Sequence, residues 1–465
     1  MTEQASYKDT LYTIDKSGRR KWVYPNLADG KWWFRRATVA YLLMTFYLLM
    51  PWITIKGKQG IFLDFSHRKF TFFGTTFWAT DTILVVITLA AMVFSLFFFT
   101  ALFGRIWCGW ACPETVFLEF LFRPIERLIE GTGAQRLKLD QSPWNFKKIS
   151  KKFTKHALCA FFSWIIASTA LAYIIGREPL LKMMMASPLD NPFPFFMTLA
   201  LMGLMAFQFG WFREQFCTVV CPYARFQSVL LDSDSLVVGY DPNRGEPRGK
   251  RGKSADTDNL GDCVDCGMCV RVCPTGIDIR NGLQLECIHC TQCMDACDSI
   301  MDKVGKPKGL IRYDTENELT GNSTRVLRPR VIVYSIILVI IASAFVTSLA
   351  TRKTSEFRIV RGNLDRPFTL LEDGKITNHL HVRISNKSDK LKKYTFTSSA
   401  SNSISLTTPI NPFPVPAGGI QTMPLFIHFN QSFIGDDGKE KISITMKDET
   451  DFESTREITL LGPGK

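Results

Sequence analysis

No cysteine follows Cys297, although the 465-residue chain holds thirteen. The stretch from 351 to 465 is therefore not held by disulfides and must stand on its own core. Histidine is scarce, at six residues, and no histidine–carboxylate constellation suited to acid–base catalysis is apparent. Charge is nearly missing from five segments, roughly 37 to 54, 82 to 104, 157 to 176, 192 to 212 and 331 to 350. At about 17 to 23 residues each is long enough to cross a bilayer as a helix. An apolar leader is lacking as well. The first 36 residues are polar and carry Arg19, Arg20, Lys21, Arg35 and Arg36, so no cleaved signal peptide is expected.

The charge that is present is mostly basic, for a net +13, and it flanks the apolar segments. Between the second and third lie Arg105, Arg123, Arg127, Arg136, Lys138, Lys147, Lys148, Lys151, Lys152 and Lys155, whereas residues 177 to 191 have only Arg177 and Lys182. The positive-inside rule then puts the amino terminus, the 105 to 156 loop and the cysteine-rich segment in the cytoplasm, and everything beyond Ala350 outside. The basic excess is thus a topology signal. A nucleic-acid partner is not expected, since no binding motif accompanies it.

Eight cysteines form two runs with CxxCxxCxxxC spacing: Cys263, Cys266, Cys269, Cys273 with Pro274 after it, and Cys287, Cys290, Cys293, Cys297. This is the bacterial two-cluster ferredoxin pattern, in which the fourth cysteine of each run serves the other cluster. Cys263, Cys266, Cys269 and Cys297 are expected to hold one 4Fe-4S cluster, and Cys287, Cys290, Cys293 and Cys273 the other. Zinc also binds CxxC pairs, but it would use two pairs, whereas each run here supplies four cysteines. Asp298 rather than proline follows the second run. The chain is expected to move single electrons.

Four more cysteines form twin CxxxCP motifs, Cys108 to Pro113 and Cys217 to Pro222, which close the second and fourth apolar helices. On a helix, positions four apart share a face, so each motif should present two sulfurs side by side. Both pairs would lie at the cytoplasmic face, where Cys108, Cys112, Cys217 and Cys221 can form one thiolate site for copper or cycle between dithiol and disulfide. A third cluster, a zinc site or plain helix packing are the alternatives. Weaker metal candidates are His156 and Cys159, three apart at the start of the third helix, for which packing is the plainer reading. The same holds for Met183, Met184 and Met185, and for His379 and His381 on one side of a predicted strand. His289 stands inside the second ferredoxin run, where it can tune a potential.

The fold class is a multi-domain membrane protein: a bundle of about five transmembrane helices, a two-cluster ferredoxin domain and an all-β tail. Residues 1–36 form a cytoplasmic segment, 37–239 the first four helices, 240–330 a linker and the ferredoxin domain, 331–350 the fifth helix and 351–465 the outer domain. Residues 240 to 262 read as a mobile basic linker. In the tail, alternation at His379 to Ile384, Lys393 to Thr397, Leu425 to Phe429 and Lys441 to Met446 predicts strands. Turn residues at Asp373–Gly374, Asn386–Ser388, Pro416–Gly419 and Asp436–Gly438 separate them, as in a β-sandwich.

The stretch Arg105 to Pro113 (RIWCGWACP), Cys217 to Pro222, the double ferredoxin motif and Gly309 to Leu319 (GLIRYDTENEL) together resemble the cytochrome c oxidase accessory proteins CcoG, FixG and RdxA. Helix order and the cysteine-free tail match over nearly the whole chain. The resemblance implies a bacterial cytoplasmic-membrane cupric reductase with a ferredoxin domain and an immunoglobulin-like tail. It would supply Cu(I) for cbb3-type oxidase assembly, with a copper chaperone and oxidase assembly factors as partners and a cytoplasmic electron donor. Rival readings are a quinol-linked electron-transfer subunit with the CxxxCP thiols as relay, and an assembly scaffold whose clusters sense redox state.

Overall fold

The computed structural model describes residues 13–463 apart from 14–16, 18, 67–68, 79–81, 188, 190–191, 251–258, 352–353, 363–366, 373, 389, 401–402 and 450–451. The first dozen residues of the amino-terminal segment, the basic stretch 251–258 and Asp373 thus lie outside the described residues. The chain divides into two compact units, and the longer helices run through the first.

Five long apolar helices form where the charge-free segments fall: α1 Lys31–Leu49, α2 Thr82–Phe103, α3 Phe146–Ile175, α4 Pro192–Phe207 and α5 Pro329–Ala350. Among the described residues, four are long and apolar enough to span a membrane: α2, α3, α4 with its continuation to Phe212, and α5. The expected first span, 37 to 54, is corrected. Its helix starts earlier, with Lys31, Arg35 and Arg36 in its opening turns, and stops at Leu49 before Pro51, since the residue preceding a proline disfavours helix. Yet α1 runs beside α3 in the same direction. Tyr47 near its end donates to the Ile166 carbonyl (2.8 Å), while Tyr173 donates to the Tyr47 carbonyl (2.8 Å).

α4 returns antiparallel to α3, so that Phe209 stacks on Phe122 at 4.7 Å back at the starting end. There the ferredoxin domain sits. Asp295, on the helix Gln292–Val304, accepts from the Trp32 and Trp33 N–H groups (3.1 and 2.7 Å) and so caps the start of α1. Gly30 is required here, because a Cβ would run into the Asp295 carboxylate.

The expected linker is instead part of this domain where it is described. Strand Leu236–Tyr240 pairs antiparallel with Ile311–Thr315, closing the module from both sides. Asp262 is held by Arg244 (2.7 Å) and Lys306 (3.0 Å), and Gly249 N–H donates to the Cys263 carbonyl (3.1 Å). Asp241, Arg244 and Asp262 are thus fixed by partners, which composition alone does not reveal.

The second unit contains an antiparallel β-sandwich built from β1 Ser355–Arg361, β2 Thr369–Leu370, β3 Lys375–Asn386, β4 Lys392–Ser398, β5 Ile404–Thr407, β6 Phe413–Val415, β7 Ile420–Asn430, β8 Lys439–Asp448 and β9 Glu453–Leu461. One sheet has the order β5-β7-β3-β1 with β2 also on β3, the other β6-β4-β8-β9. The period-2 pattern buries Ile376, Leu380, Val382 and Ile384 of β3 against Tyr394, Ile442, Ile444 and Met446 of the facing sheet.

Candidate redox centre

The two ferredoxin runs fold so that their cysteines line two pockets of nearly equal size, about 360 and 350 Å³. Cys263, Cys266, Cys269 and Cys297 line the first; Cys273, Cys287, Cys290 and Cys293 line the second, with Cys269 reaching its wall. Cys297 of the second run thus lines the first pocket, and Cys273 of the first run lines the second. Apolar side chains complete both walls, including Ile300, Met301 and Leu310 in the first and Val238, Ile277 and Ile279 in the second. Thr291 Oγ1 borders the second pocket, buried and without a protein partner. Four soft sulfurs in an apolar shell with a spare donor fit a 4Fe-4S cluster.

The twin CxxxCP motifs depart from the helical expectation. α2 ends at Phe103, Gly104 turns the chain at φ +57, and Cys108 lies in a separate short helix, Ile106–Trp110. Cys112 is extended (φ −61, ψ 127) and caps the next helix, which begins at Pro113. Cys217 lies in the π-helical turn Phe216–Val220, and Cys221 is again extended (φ −64, ψ 111) before Pro222. The cause is the proline, which disfavours helical backbone at the residue before it. Each pair is therefore split between two elements rather than set on one helical face.

The four cysteines nonetheless act on one another electrostatically. Burial pushes the Cys108 thiol up to about 12 against the pull of Arg105, and Cys112 and Cys221 push the same way. Cys217 is raised well above its ordinary value by burial and then by Glu114, Cys112, Cys108 and Cys221. Burial also raises Cys112, opposed by the N–H groups of Glu114 and Thr115. The Cys108 thiol donates to Gln227 Oε1 at 3.1 Å. Among the described residues, the CxxxCP and ferredoxin cysteines alike, no three Cys, His, Asp or Glu side chains are drawn to ion-coordinating distance.

This thiol group packs on the second ferredoxin pocket. Cys108 lies in one apolar cluster with Ile288 and Cys290, with Cys217 and Tyr223 against it. Gly109 makes the approach possible: a Cβ there would stand 2.6 Å from the Ile288 carbonyl oxygen and 2.7 Å from that of His289. Trp110 Nε1 donates to Tyr313 Oη (3.0 Å), and that hydroxyl donates to the His289 carbonyl (3.1 Å). Arg105 donates to the carbonyls of Leu285, Cys287 (3.4 Å) and Ala224 (2.6 Å). His289 is fully buried at φ +53 and its Nδ1 accepts from the Arg105 N–H at 3.2 Å; burial, then Arg105, brings its pKa down to about 3.

The weaker candidates stand elsewhere. Cys159 is buried in an apolar cluster with Ala37, Met44 and Phe117, and His156 is exposed. Met184 and Met185 are exposed near the end of the helix Arg177–Met185. His379 and His381 share the outer face of β3 with ring centres 4.7 Å apart. Sequence reasoning missed Arg36, Asp295 and Tyr313, whose roles come from contacts across long chain separations.

A helical membrane unit with a two-pocket ferredoxin domain and a separate immunoglobulin-like sandwich defines a membrane-associated iron-sulfur electron-transfer protein. A family model described as a 4Fe-4S dicluster domain matches residues 212–316, and one described as a 4Fe-4S binding domain matches residues 84–131. A third, the IG-like fold at the C-terminus of FixG, matches residues 345–463. The chain is 34% identical to protein RdxB of Cereibacter sphaeroides over 454 residues, 92% of each chain. It is 34% identical to nitrogen fixation protein FixG of Rhizobium meliloti over 410 residues, 79% of this chain and 77% of that one. RdxA of Cereibacter sphaeroides is 33% identical over 394 residues, 80% and 81% of the two chains. The chain belongs to the FixG/Rdx family.

Proposed function

We propose that this protein reduces Cu(II) to Cu(I) at the membrane surface and hands Cu(I) on for assembly of a cbb3-type oxidase. The observation that carries the reading is the seating of Cys108 against Cys290, which brings a group of soft thiols next to a ferredoxin ligand run. Cys263, Cys266, Cys269 and Cys297 would hold one cluster and Cys287, Cys290, Cys293 and Cys273 the other; when bound, these supply one-electron storage and transfer. The chain's own contribution is placement. Cys108, Cys112, Cys217 and Cys221 receive the copper ion, and Arg105 ties their loops to the second ferredoxin run.

The reaction is one electron added to Cu(II), supplied by a reduced cytoplasmic donor, with no proton acid or base required. Sulfur ligands favour the Cu(I) product, which a thiol or thioether chaperone can then accept. In this reading the amino terminus and ferredoxin domain face the cytoplasm and the sandwich faces the periplasm of a bacterial inner membrane. The basic loops and the cysteine-free tail support that orientation.

A second reading has the four thiols hold a third iron centre, supported by the match of residues 84–131, with Cys108 and Cys112, to a 4Fe-4S binding domain. Iron and copper are measured together on anaerobically purified protein, with Cu(II) reduction followed by a Cu(I)-specific chelator. About eight iron per chain with copper reduction supports the copper reading. About twelve iron, or eight iron without reduction or copper binding, overturns it.

A further inference from the structure

The two ferredoxin pockets differ in what surrounds them. The first reaches solvent at Cys266, which is exposed although Cys263 and Cys269 are buried. Among the four cysteines expected to hold the second cluster none is exposed. Cys273, Cys287 and Cys290 are buried, and Cys108 packs against Cys290. Charge differs in the same sense. Arg280 lines the first pocket but is neutralised by Asp278 (2.7 Å) and Asp265 (2.5 Å).

At the second pocket stands Arg36, 0% exposed. Its Nε donates to the Gly109 carbonyl at 2.9 Å and its Nη1 to the Cys290 carbonyl at 2.6 Å. Both partners are neutral, and its Nη2 is buried without a partner. One guanidinium therefore spans the CxxxCP loop and a ferredoxin ligand while keeping its charge uncompensated by any hydrogen-bonded carboxylate. A buried cation favours the more negative, reduced form of an adjacent centre.

We propose that electrons enter at the Cys263, Cys266, Cys269, Cys297 pocket and leave from the Cys273, Cys287, Cys290, Cys293 pocket. Arg36 is the positioning residue that sets this direction, by raising the exit potential and fastening the exit to the thiol group. One electron passes per turnover: an external one-electron reductant is oxidised at the first pocket, and a one-electron acceptor beyond the second, Cu(II) in the reading above, is reduced. The proposal rests on the two-cluster reading but not on copper, and its test is made without copper.

The full chain, purified anaerobically in detergent with its iron intact, is titrated with dithionite while paramagnetic resonance follows each reduced centre. Two transitions are expected, and Cys266→Ser should alter or remove the lower-potential signal. Arg36→Gln should lower the upper potential, moving the electron partition about tenfold towards the first centre, or 59 mV for one electron. Arg36→Lys keeps the charge and should keep most of the difference.

A Cys266→Ser effect on the upper signal overturns the direction. Potentials unchanged in Arg36→Gln with full iron, or an Arg36→Lys shift as large as that of Gln, overturn the role of the charge. Loss of iron from both Arg36 variants also overturns that role and leaves Arg36 a determinant of folding alone. A wild-type chain with about four iron and one signal instead refutes the two-cluster reading itself.

Discussion

The C-terminal sandwich and the ferredoxin end of the helical unit bury different kinds of side chain. The sandwich core is apolar, with Ile376, Val382, Ile384, Leu425, Ile427 and Ile444 all fully enclosed. The ferredoxin end buries Arg36, Arg105, Arg123, Glu126, Glu130, Arg136, Arg213 and Glu214. Apolar burial alone stabilises a fold of this size, whereas buried charges add little net stability but fix one arrangement and penalise its loss. The first region is thus built to persist, and the second to hold elements in register around centres that the chain does not itself supply.

Removing the iron should separate the two regions most sharply. Cluster binding energy is folding energy for the ligand loops. Chelation under reducing conditions should raise amide exchange across 263–297 by roughly a hundredfold or more, while strands β3, β7 and β8 keep their protection. Peptide-resolved hydrogen exchange reads both. Equal deprotection of the sandwich would break the comparison.

Next in size is Glu126→Gln. Glu126 binds Arg213 (3.0 Å to one oxygen), Arg136 (3.1 Å) and Lys155 (3.8 Å), and its partners hold its pKa below the usual glutamate value despite burial. Leaving those cations without their carboxylate should cost about 3–5 kcal/mol of the helical unit's stability. Because the folded pKa is depressed, that stabilisation is complete above the ordinary glutamate range and fades as pH falls through the folded value. Thermal unfolding of wild type and variant should therefore converge in acid and diverge at neutral pH. A constant gap would mean that Glu126 acts through packing.

In the sandwich the corresponding test is Leu425→Ala, a fully buried position on β7. A cavity there should cost about 2–5 kcal/mol, and iron content and reduction rate should not move. Smaller still is Gly109→Ala. Its methyl would meet two carbonyl oxygens at 2.6 and 2.7 Å, costing about 1–3 kcal/mol. Cu(II) reduction should fall with eight iron retained, because the thiol loop is pushed off the second ferredoxin run. Full activity in Gly109→Ala would argue that this contact is not the route.

The sandwich was legible in sequence because alternation over β3 and β7 reports burial directly: Ile376, Leu380 and Val382 face inward and His379 and His381 outward. Ferredoxin spacing was legible for a similar reason, since CxxCxxCxxxC encodes a local wrap. What failed was local inference about a non-local site. Helical periodicity put Cys108 and Cys112 on one face, but Pro113 and Pro222 turn the second cysteine of each pair into a helix cap. Nothing in the string KWWFRR sets Arg36 apart from Arg35, and only the fold shows that one of them reaches Gly109 and Cys290. The 240–262 stretch misled by composition, because among its described residues Asp241 pairs with Arg312, 71 positions away, and Asp262 with Lys306.

The smallest expected effect asks whether the sandwich takes any part in metal handling. His379 and His381 are its closest imidazole pair among the described residues, and His379 also stacks on Phe426 at 4.7 Å with rings nearly parallel. Imidazole binds copper, but a two-nitrogen face competes poorly for Cu(I) with four thiols, the softer ligands. Replacing both histidines with alanine should leave copper stoichiometry and Cu(II) reduction unchanged. It should cost the sandwich no more than the lost stacking, about 0.5–1.5 kcal/mol. The measurement is copper per chain in this variant beside one with Cys108, Cys112, Cys217 and Cys221 all changed to serine. Copper lost with the imidazoles and kept without the thiols would move the metal site into the sandwich, and the division between a persistent apolar region and a redox region would fall with it.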